Sequence, residues 1–339
     1  MTDPLRRLMP LVRLAPAKVN LTLAVLGRRP DGFHDLHSVM VPLGLADRLS
    51  FAPTGASGPN ARDTLHVDGF DPGPPAGNLV LRAIGLAREA VGHGWAGGPG
   101  PAPALAVRLD KRIPVAAGLA GGSSDGAAAL DGALEAWGAE LDPPTRSALA
   151  ARLGSDVPFF LAGGPALVEG RGERVTPLPG LRGTPGILLV TPALAISTAD
   201  AFAAFVALGG RGDGSVRLTS DHLAGELRSR LASADLVARA GVLAPANDLL
   251  PAAAAAAPGL VAFRRALFRL LLRPVGLTGS GPTLWALYPS EADAAAAATT
   301  VREAVADGTL AAPGDGAPHV VATTILSGPA IKPDERTDR

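Results

Sequence analysis

Between Pro114 and Leu130 the chain reads PVAAGLAGGSSDGAAAL, a short glycine loop that ends in two hydroxyls and runs into an alanine-rich helical pattern. Gly118, Gly121 and Gly122 permit backbone angles and close approaches that a Cβ forbids, so successive N–H groups can converge on an anion. Ser123 and Ser124 add hydroxyl donors, and the start of the following helix turns its unsatisfied N–H groups and positive dipole end to the same place. That combination binds phosphate. By composition alone the stretch is equally a glycine-rich turn, because 42 glycines in 339 residues generate such clusters unaided. Two other residues could do chemistry. Lys18 lies in an alternating strand pattern with Asn20 on the same face, and Asp156 precedes Val157-Pro158. By type alone the first reads as a solvated strand-edge lysine and the second as a helix cap.

Several phosphate-binding signatures do not match these loops letter by letter. No Gly-Lys pair occurs anywhere, so a Walker A loop is absent; the glycines of 118–122 do not have G-x-G-x-x-G spacing, and Gly279-Ser280-Gly281 lacks the third glycine. The H-R-D and D-F-G marks of protein kinases are missing. Lys+Arg 31 balances Asp+Glu 31, so no global charge recruits nucleic acid or an anionic membrane, and any anion must be held locally. With no cysteine there are no disulfides, thiolate metal sites or cysteine nucleophiles. The histidines show no metal spacing, and no structural metal is expected. The apolar stretch after Arg6 and Arg7 is broken by Pro10, Arg13 and Pro16, too short for a signal peptide. No apolar run reaches the roughly 18 to 20 residues of a membrane span, so a cytoplasmic protein is expected. Positive charge is written almost wholly as arginine; lysine occurs only at 18, 111 and 332, which singles out a lysine in an apolar strand.

The elements that must position these residues follow from periodicity and turn chemistry. Ala17–Leu26 alternates as one strand, RRPDG at 28–32 is a turn, and Leu36–Leu45, Asp47–Phe51 and Thr64–Val67 read as further strands. Asn78 caps a helix through Val91, and Leu105–Leu109 is a strand feeding the loop. Helices are expected at Ser124–Trp137 and Pro143–Leu153, with another element from Ser155 carrying proline in its first turn. A hairpin at Ala166–Pro177 and a strand at Gly186–Thr191 follow. Beyond them come helices at Ala199–Leu208, Leu223–Ala234 and Val261–Leu272, a strand–glycine turn–strand at Val275–Tyr288, a helix at Glu291–Val305 and a last strand at Val320–Leu326. A chain of 339 residues is long for one core, and the boundary falls near Pro177–Pro185. This divides 1–180 from 181–329, with a polar, disordered tail at 330–339.

Three motifs in this order resemble the GHMP kinase superfamily. They are Pro16-Ala-Lys-Val-Asn-Leu-Thr-Leu23 with Arg28-Arg-Pro-Asp-Gly-Phe-His34, then Pro114–Ser124 with Ser155-Asp-Val-Pro158, then Leu277-Thr-Gly-Ser-Gly-Pro282. They cover nearly all of Leu14 to Leu326, and the first is most similar to the branch acting on a cytidine diphosphate-linked methylerythritol. The resemblance implies a two-lobe α+β fold, with a ribosomal protein S5 domain 2-like N-terminal lobe that binds ATP and a ferredoxin-like C-terminal lobe. It implies ATP-dependent phosphorylation of a substrate 2-hydroxyl in non-mevalonate isoprenoid synthesis, by a monomer or homodimer. Pro114, Val115, Ala116, Ala117, Gly118, Leu119, Ala120, Gly121, Gly122, Ser123 and Ser124 would wrap the ATP phosphates, with either serine helping to hold Mg²⁺. Asp156 would be the base and Lys18 its electrostatic partner, reversing the plain readings of both.

The same resemblance assigns Asn20, Phe33 and His34 to the cytidine pocket. Phe33 would stack on the base and His34 would read its edge. Ile196-Ser-Thr-Ala-Asp-Ala-Phe202 would place Phe202 on the opposite face and Thr198 near the ligand, although Phe202 reads equally well as a helix core residue. Asn247-Asp248-Leu-Leu matches a further family stretch and is also a plausible helix start. Phe33 stands where the family usually has tyrosine, Ser197 where it has proline, and Ala120 where it more often has glycine, which a negative φ there would tolerate. The alternatives are a GHMP kinase for homoserine, mevalonate or a sugar, and an inactive nucleotide-binding relative.

Overall fold

The computed structural model describes residues 11–56, 61–92, 94–96, 100–212 and 214–328. The expected tail at 330–339 and the arginines at 6 and 7 lie outside them. Two sheets carry the chain, the α+β arrangement expected. In chain order the elements of the first are β1 (Leu11–Asn20), β2 (Ala24–Arg28), β3 (His34–Pro53), β4 (Thr64–Gly69), α1 (Leu79–Val91), β5 (Leu105–Lys111), α2 (Gly121–Trp137), α3 (Pro143–Leu153), α4 (Val157–Ala162), β6 (Ala166–Gly170) and β7 (Arg174–Pro177). Those of the second are β8 (Gly186–Thr191), α5 (Thr198–Ala207), α6 (Ser215–Arg228), α7 (Ser233–Ala238), α8 (Ala240–Leu243), α9 (Leu250–Ala256), α10 (Leu260–Leu271), β9 (Gly276–Leu277), β10 (Leu284–Tyr288), α11 (Glu291–Ala306) and β11 (His319–Thr324).

The first sheet has the order β4-β5-β3-β6-β7, with β1 and β2 also paired to β3. Only β4 and β5 run parallel. The second is antiparallel, in the order β11-β8-β10-β9. The central strand β3 is one 20-residue run where two strands were expected. Ala46 and Asp47 make no turn, because the Asp47 carboxylate is buried and accepts from the backbone N–H groups of Arg112 (2.5 Å) and Ile113 (2.8 Å). The single strand expected over 17–26 is instead broken. β1 leaves the ladder after Asn20, and Leu23 donates its N–H to Ala246 O at 2.8 Å and bridges to Asn247. Both faces are therefore covered, so Lys18, Asn20 and Thr22 are buried rather than solvated.

Most expected helices form within a residue or two, each with its physical stop. Asn78 accepts from Val80 N at 2.9 Å and starts α1, and Ser197 caps α5 by accepting from Asp200 N at 3.0 Å. The expected helix 223–234 differs: α6 begins at Ser215, ends at Arg228, and α7 starts afresh at Ser233. The break occurs because Leu231 O and Ser233 N pair with the backbone of Arg182, each at 2.9 Å, pulling that segment out of helix.

One apolar cluster joins the two sheets, bringing Val19 and Val41 of the first against Ile187, Leu189, Trp285 and Ile325 of the second. Another fills the space between β5, α1 and α2. α2 fits there because it is built of small residues. A Cβ on Gly132 would lie 2.4 Å from the Phe51 ring. Gly132→Ala must shift that ring or the helix, which costs about 1 to 3 kcal/mol. We expect a lower melting temperature in a thermal unfolding scan, and an unchanged one would contradict this packing.

Candidate active site

A cleft of 460 Å³ is lined by Lys18, Asn20, much of the loop, Asp156, Phe202 and the turn at Gly279-Ser280. It brings together residues from all three motifs. The loop forms where β5 ends and α2 begins, and its shape is set by contacts that leave no room for side chains. Gly118 has φ of 77°, and a Cβ there would lie 2.5 Å from Thr278 O. Gly121 opens α2, and its Cβ would lie 2.8 Å from Lys111 Nζ and 2.9 Å from Ile113 Cγ2. The helix therefore starts three residues before the expected Ser124. Pro114, Val115, Ala116, Ala117, Gly118, Ala120, Gly121, Gly122 and Ser123 line the cleft, whereas Leu119 and Ser124 do not. Leu119 is 1% exposed in the core, and its carbonyl accepts the Lys18 N–H at 3.1 Å. Ser124 is also 1% exposed and opens onto a different cavity behind α2, with Arg13 and Asp131.

Lys18 sits beneath this loop. Its ammonium donates to Asn20 Oδ1 (2.7 Å) and Gly118 O (2.9 Å) and lies 3.8 Å from Asp156 Oδ2. Burial pushes its pKa below the ordinary 10.5, with the nearby Asp156 charge opposing. Asn20 is held in turn: its Nδ2 donates to Ser38 Oγ at 2.8 Å, and its backbone N–H donates to Thr278 Oγ1 at 3.0 Å. Asp156 occupies the cap position of α4, yet its side chain caps nothing. The carboxylate is 31% exposed, turned toward Lys18 and the cleft. The simple helix-cap reading of this residue does not describe it.

At the other end the aromatic residues are arranged differently from the expected sandwich. His34 stacks directly on Phe202, with ring centroids 4.7 Å apart and planes 16° apart, and meets Phe205 edge-on. Phe33 is 49% exposed under the Arg171 guanidinium, and neither Phe33 nor His34 lines the cleft. Burial and nearby Arg28 lower the His34 pKa, which keeps the ring neutral. Its Nε2 is buried with no partner, a free polar edge beside Phe202. Thr198 lies on the cleft wall, with its hydroxyl 3.4 Å from Ser280 Oγ.

Seven further residues contribute that were not assigned to the site from sequence. Asn78 and Leu79, at the start of α1, line the cleft beyond the loop. Thr278 ties Asn20 to Gly118 O, which lies 3.3 Å from its hydroxyl. Asn247, a weak motif match, donates from Nδ2 to Leu277 O and Gly279 O, both at 3.0 Å, and so fixes the third loop. Lys111, Asp47 and Asp125 form a buried ion cluster under Gly121. Burial pushes the Asp125 carboxyl up to about 8; Lys111 opposes the shift and Asp47 adds to it.

Residues 78–164 match the GHMP kinases N terminal domain. The chain is 46% identical over 200 residues to the 4-diphosphocytidyl-2-C-methyl-D-erythritol kinase of Pelotomaculum thermopropionicum, a match covering 58% of this chain and 64% of that one, just under two thirds of its length. It is 39% identical over 284 residues to the enzyme of the same name from Synechococcus sp. (strain CC9902), covering 81% and 86%. The chain belongs to the 4-diphosphocytidyl-2-C-methyl-D-erythritol kinase family. A crystal structure of 4-(cytidine 5'-diphospho)-2C-methyl-D-erythritol kinase superposes with a TM-score of 0.66 at 32% identity, covering 93% of this chain and all of that one. The family is one of ATP-using kinases.

Within the glycine loop, Ala120 departs from expectation. It has φ of 54° and ψ of 32°, the left-handed region, so the negative φ that would excuse an alanine is not adopted. The turn into α2 imposes this, with Ala120 O accepting from Ser124 N at 3.0 Å. An alanine there carries about 1 kcal/mol of strain. Ala120→Gly is expected to raise the melting temperature by about 2 °C, and a lower value in the same scan would contradict the strained turn.

Proposed function

We propose that the chain transfers the γ-phosphoryl group of ATP to the 2-hydroxyl of 4-diphosphocytidyl-2-C-methyl-D-erythritol, a step in non-mevalonate isoprenoid synthesis. The observation that carries this reading is the approach of the uncapped Asp156 carboxylate to buried Lys18 beside the glycine loop, in one cleft. We take the lobes to divide near residue 180, with the cleft between them. Both substrates are charged metabolites, so we assign the enzyme to the cytoplasm.

Phosphoryl transfer asks for alignment and charge stabilisation more than for covalent help. The backbone N–H groups of 118–123 and the N-terminus of α2 receive the phosphates. Asp156 orients the substrate hydroxyl and takes its proton. The hydroxyl oxygen bonds to the γ-phosphorus as the bond to the β-bridging oxygen breaks, and ADP leaves. Lys18, fixed by Asn20 and Gly118 O, lies 3.8 Å from Asp156 and faces the charge that develops. Ser123, a half-buried hydroxyl in the cleft wall, fits as a hard oxygen ligand for Mg²⁺, and Ser124, turned away behind α2, does not. Bound Mg²⁺ would neutralise charge on the β- and γ-phosphates.

For the second substrate, Phe202 would supply a flat face and the His34 Nε2, freed from its stack, a polar edge, the chemistry a cytosine ring requires. We assign the exposed Phe33 ring, which lies outside the cleft lining, to the opposite face of the base, and Asn20 and Thr198, which line the cleft, to the polyol. Insertion of the base between Phe33 and Phe202 needs His34 to leave its stack. A coupled assay of ADP release tests the reading: turnover with 4-diphosphocytidyl-2-C-methyl-D-erythritol, and none with homoserine or mevalonate, is expected. Turnover with either of those and not the cytidylyl substrate would overturn it. Asp156→Ala should lower kcat by about 10²- to 10⁴-fold with an unchanged melting temperature, whereas near-normal turnover would remove Asp156 from the mechanism.

A further inference from the structure

A lysine at the base of a phosphate loop invites the reading that it touches phosphate. Lys111 is placed otherwise. Its ammonium is 3% exposed, is in short contact with Asp47 Oδ2, and lies 3.0 Å from Asp125 Oδ2. The three residues come from three elements: Asp47 from the middle of β3, Lys111 from the end of β5, and Asp125 from the first turns of α2. Asp47 grips the start of the loop as well, since its Oδ1 accepts the N–H groups of Arg112 and Ile113. The first residue of α2 rests on the same nitrogen, because Gly121 approaches so closely that a Cβ would sit 2.8 Å from Lys111 Nζ. Lys111 and Asp125 both border the cleft, and there the ammonium lies between two carboxyl groups and the helix start, with its charge already matched.

We propose that Lys111, with Asp47 and Asp125, is a positioning residue. It clamps β3 and β5 to the N-terminus of α2 and holds the Pro114–Ser124 loop in its phosphate-receiving shape without contacting the nucleotide. This rests on the loop being the ATP site. The clamp acts on both ends of the loop, through Asp47 at Arg112 and Ile113 and through Gly121 and Asp125 at the far side. Breaking one member of a buried charge cluster leaves the others uncompensated, whereas removing a matched pair does not. A phosphate contact would behave in the opposite way, since the lost donor is not restored by a second change.

The experiment measures ATP binding by calorimetry and the KM for ATP in three folded variants beside the unaltered chain. Lys111→Met is expected to weaken ATP binding about tenfold while kcat at saturating ATP stays within about threefold. Lys111→Met with Asp47→Asn removes one charge of each sign and keeps the Asp47 acceptor for Arg112 and Ile113. Binding should recover to within about threefold of the unaltered chain. Gly121→Ala pushes on the same nitrogen from the helix side and should raise the KM for ATP even if Lys111→Met does not fold. Undiminished binding in both Lys111→Met and Gly121→Ala would overturn the clamp. A double variant as weak as the single one would assign Lys111 to the phosphate and overturn it too. Failure of the unaltered chain to bind ATP would overturn the functional reading, and this inference with it.

Discussion

Burying one ammonium group is the constraint from which the rest of the site follows. An unpaired charge out of water is expensive, so Lys18 can be 3% exposed only if polar groups converge on it. They come from three segments far apart in sequence: Asn20 from the same strand, Gly118 O from the glycine loop, and Asp156 from the head of α4. Each of these must be held in turn. Asn20 needs Ser38 and Thr278, Gly118 must lack a side chain to lie against Thr278 O, and Asp156 must give up the capping bond its position offers. The glycine loop, Asp156 and the glycine turn at 279–281 are therefore one assembly around a single nitrogen.

The two-sheet arrangement makes that convergence possible. The core cluster shared by β1, β3, β8 and β10 fixes one sheet on the other, and the glycine turn before β10 lies against the phosphate loop at that seam. Breaking β1 at Asn20 rather than running it on to Leu26 serves the same end. It frees backbone groups to bond Thr278 and Ala246 of the second half of the chain.

How much of this could be read from residues alone follows from the range of the interactions. The loop was legible because glycines and hydroxyls at short spacing have few other uses, and Lys18 stood out in a chain that writes its charges as arginine. Helices with local caps, such as those begun by Asn78 and Ser197, were legible for the same reason: the cap lies within three residues of its donor. What depended on distant partners was hidden. Asp47 has the composition of a turn and is straightened by Arg112 and Ile113; α6 stops where Arg182 claims its backbone; Ala120 is driven to a positive φ by the helix start it feeds. Thr278 and Asn247 reach the site through contacts 30 or more residues away. The His34 stack on Phe202 was hidden as well, because the two rings come from segments far apart in sequence.

The central claim, that a buried lysine is held charged by Asp156 at the meeting point of the motifs, can be measured at the nitrogen itself. With lysines only at 18, 111 and 332, an NMR titration of isotope-labelled lysine side chains gives three resonances that single substitutions assign. Lys18 is expected to titrate below the ordinary 10.5, and Asp156→Asn should lower its pKa further, because the carboxylate opposes the effect of burial. A Lys18 that titrates at or above the ordinary value, or one indifferent to Asp156→Asn, would contradict the account.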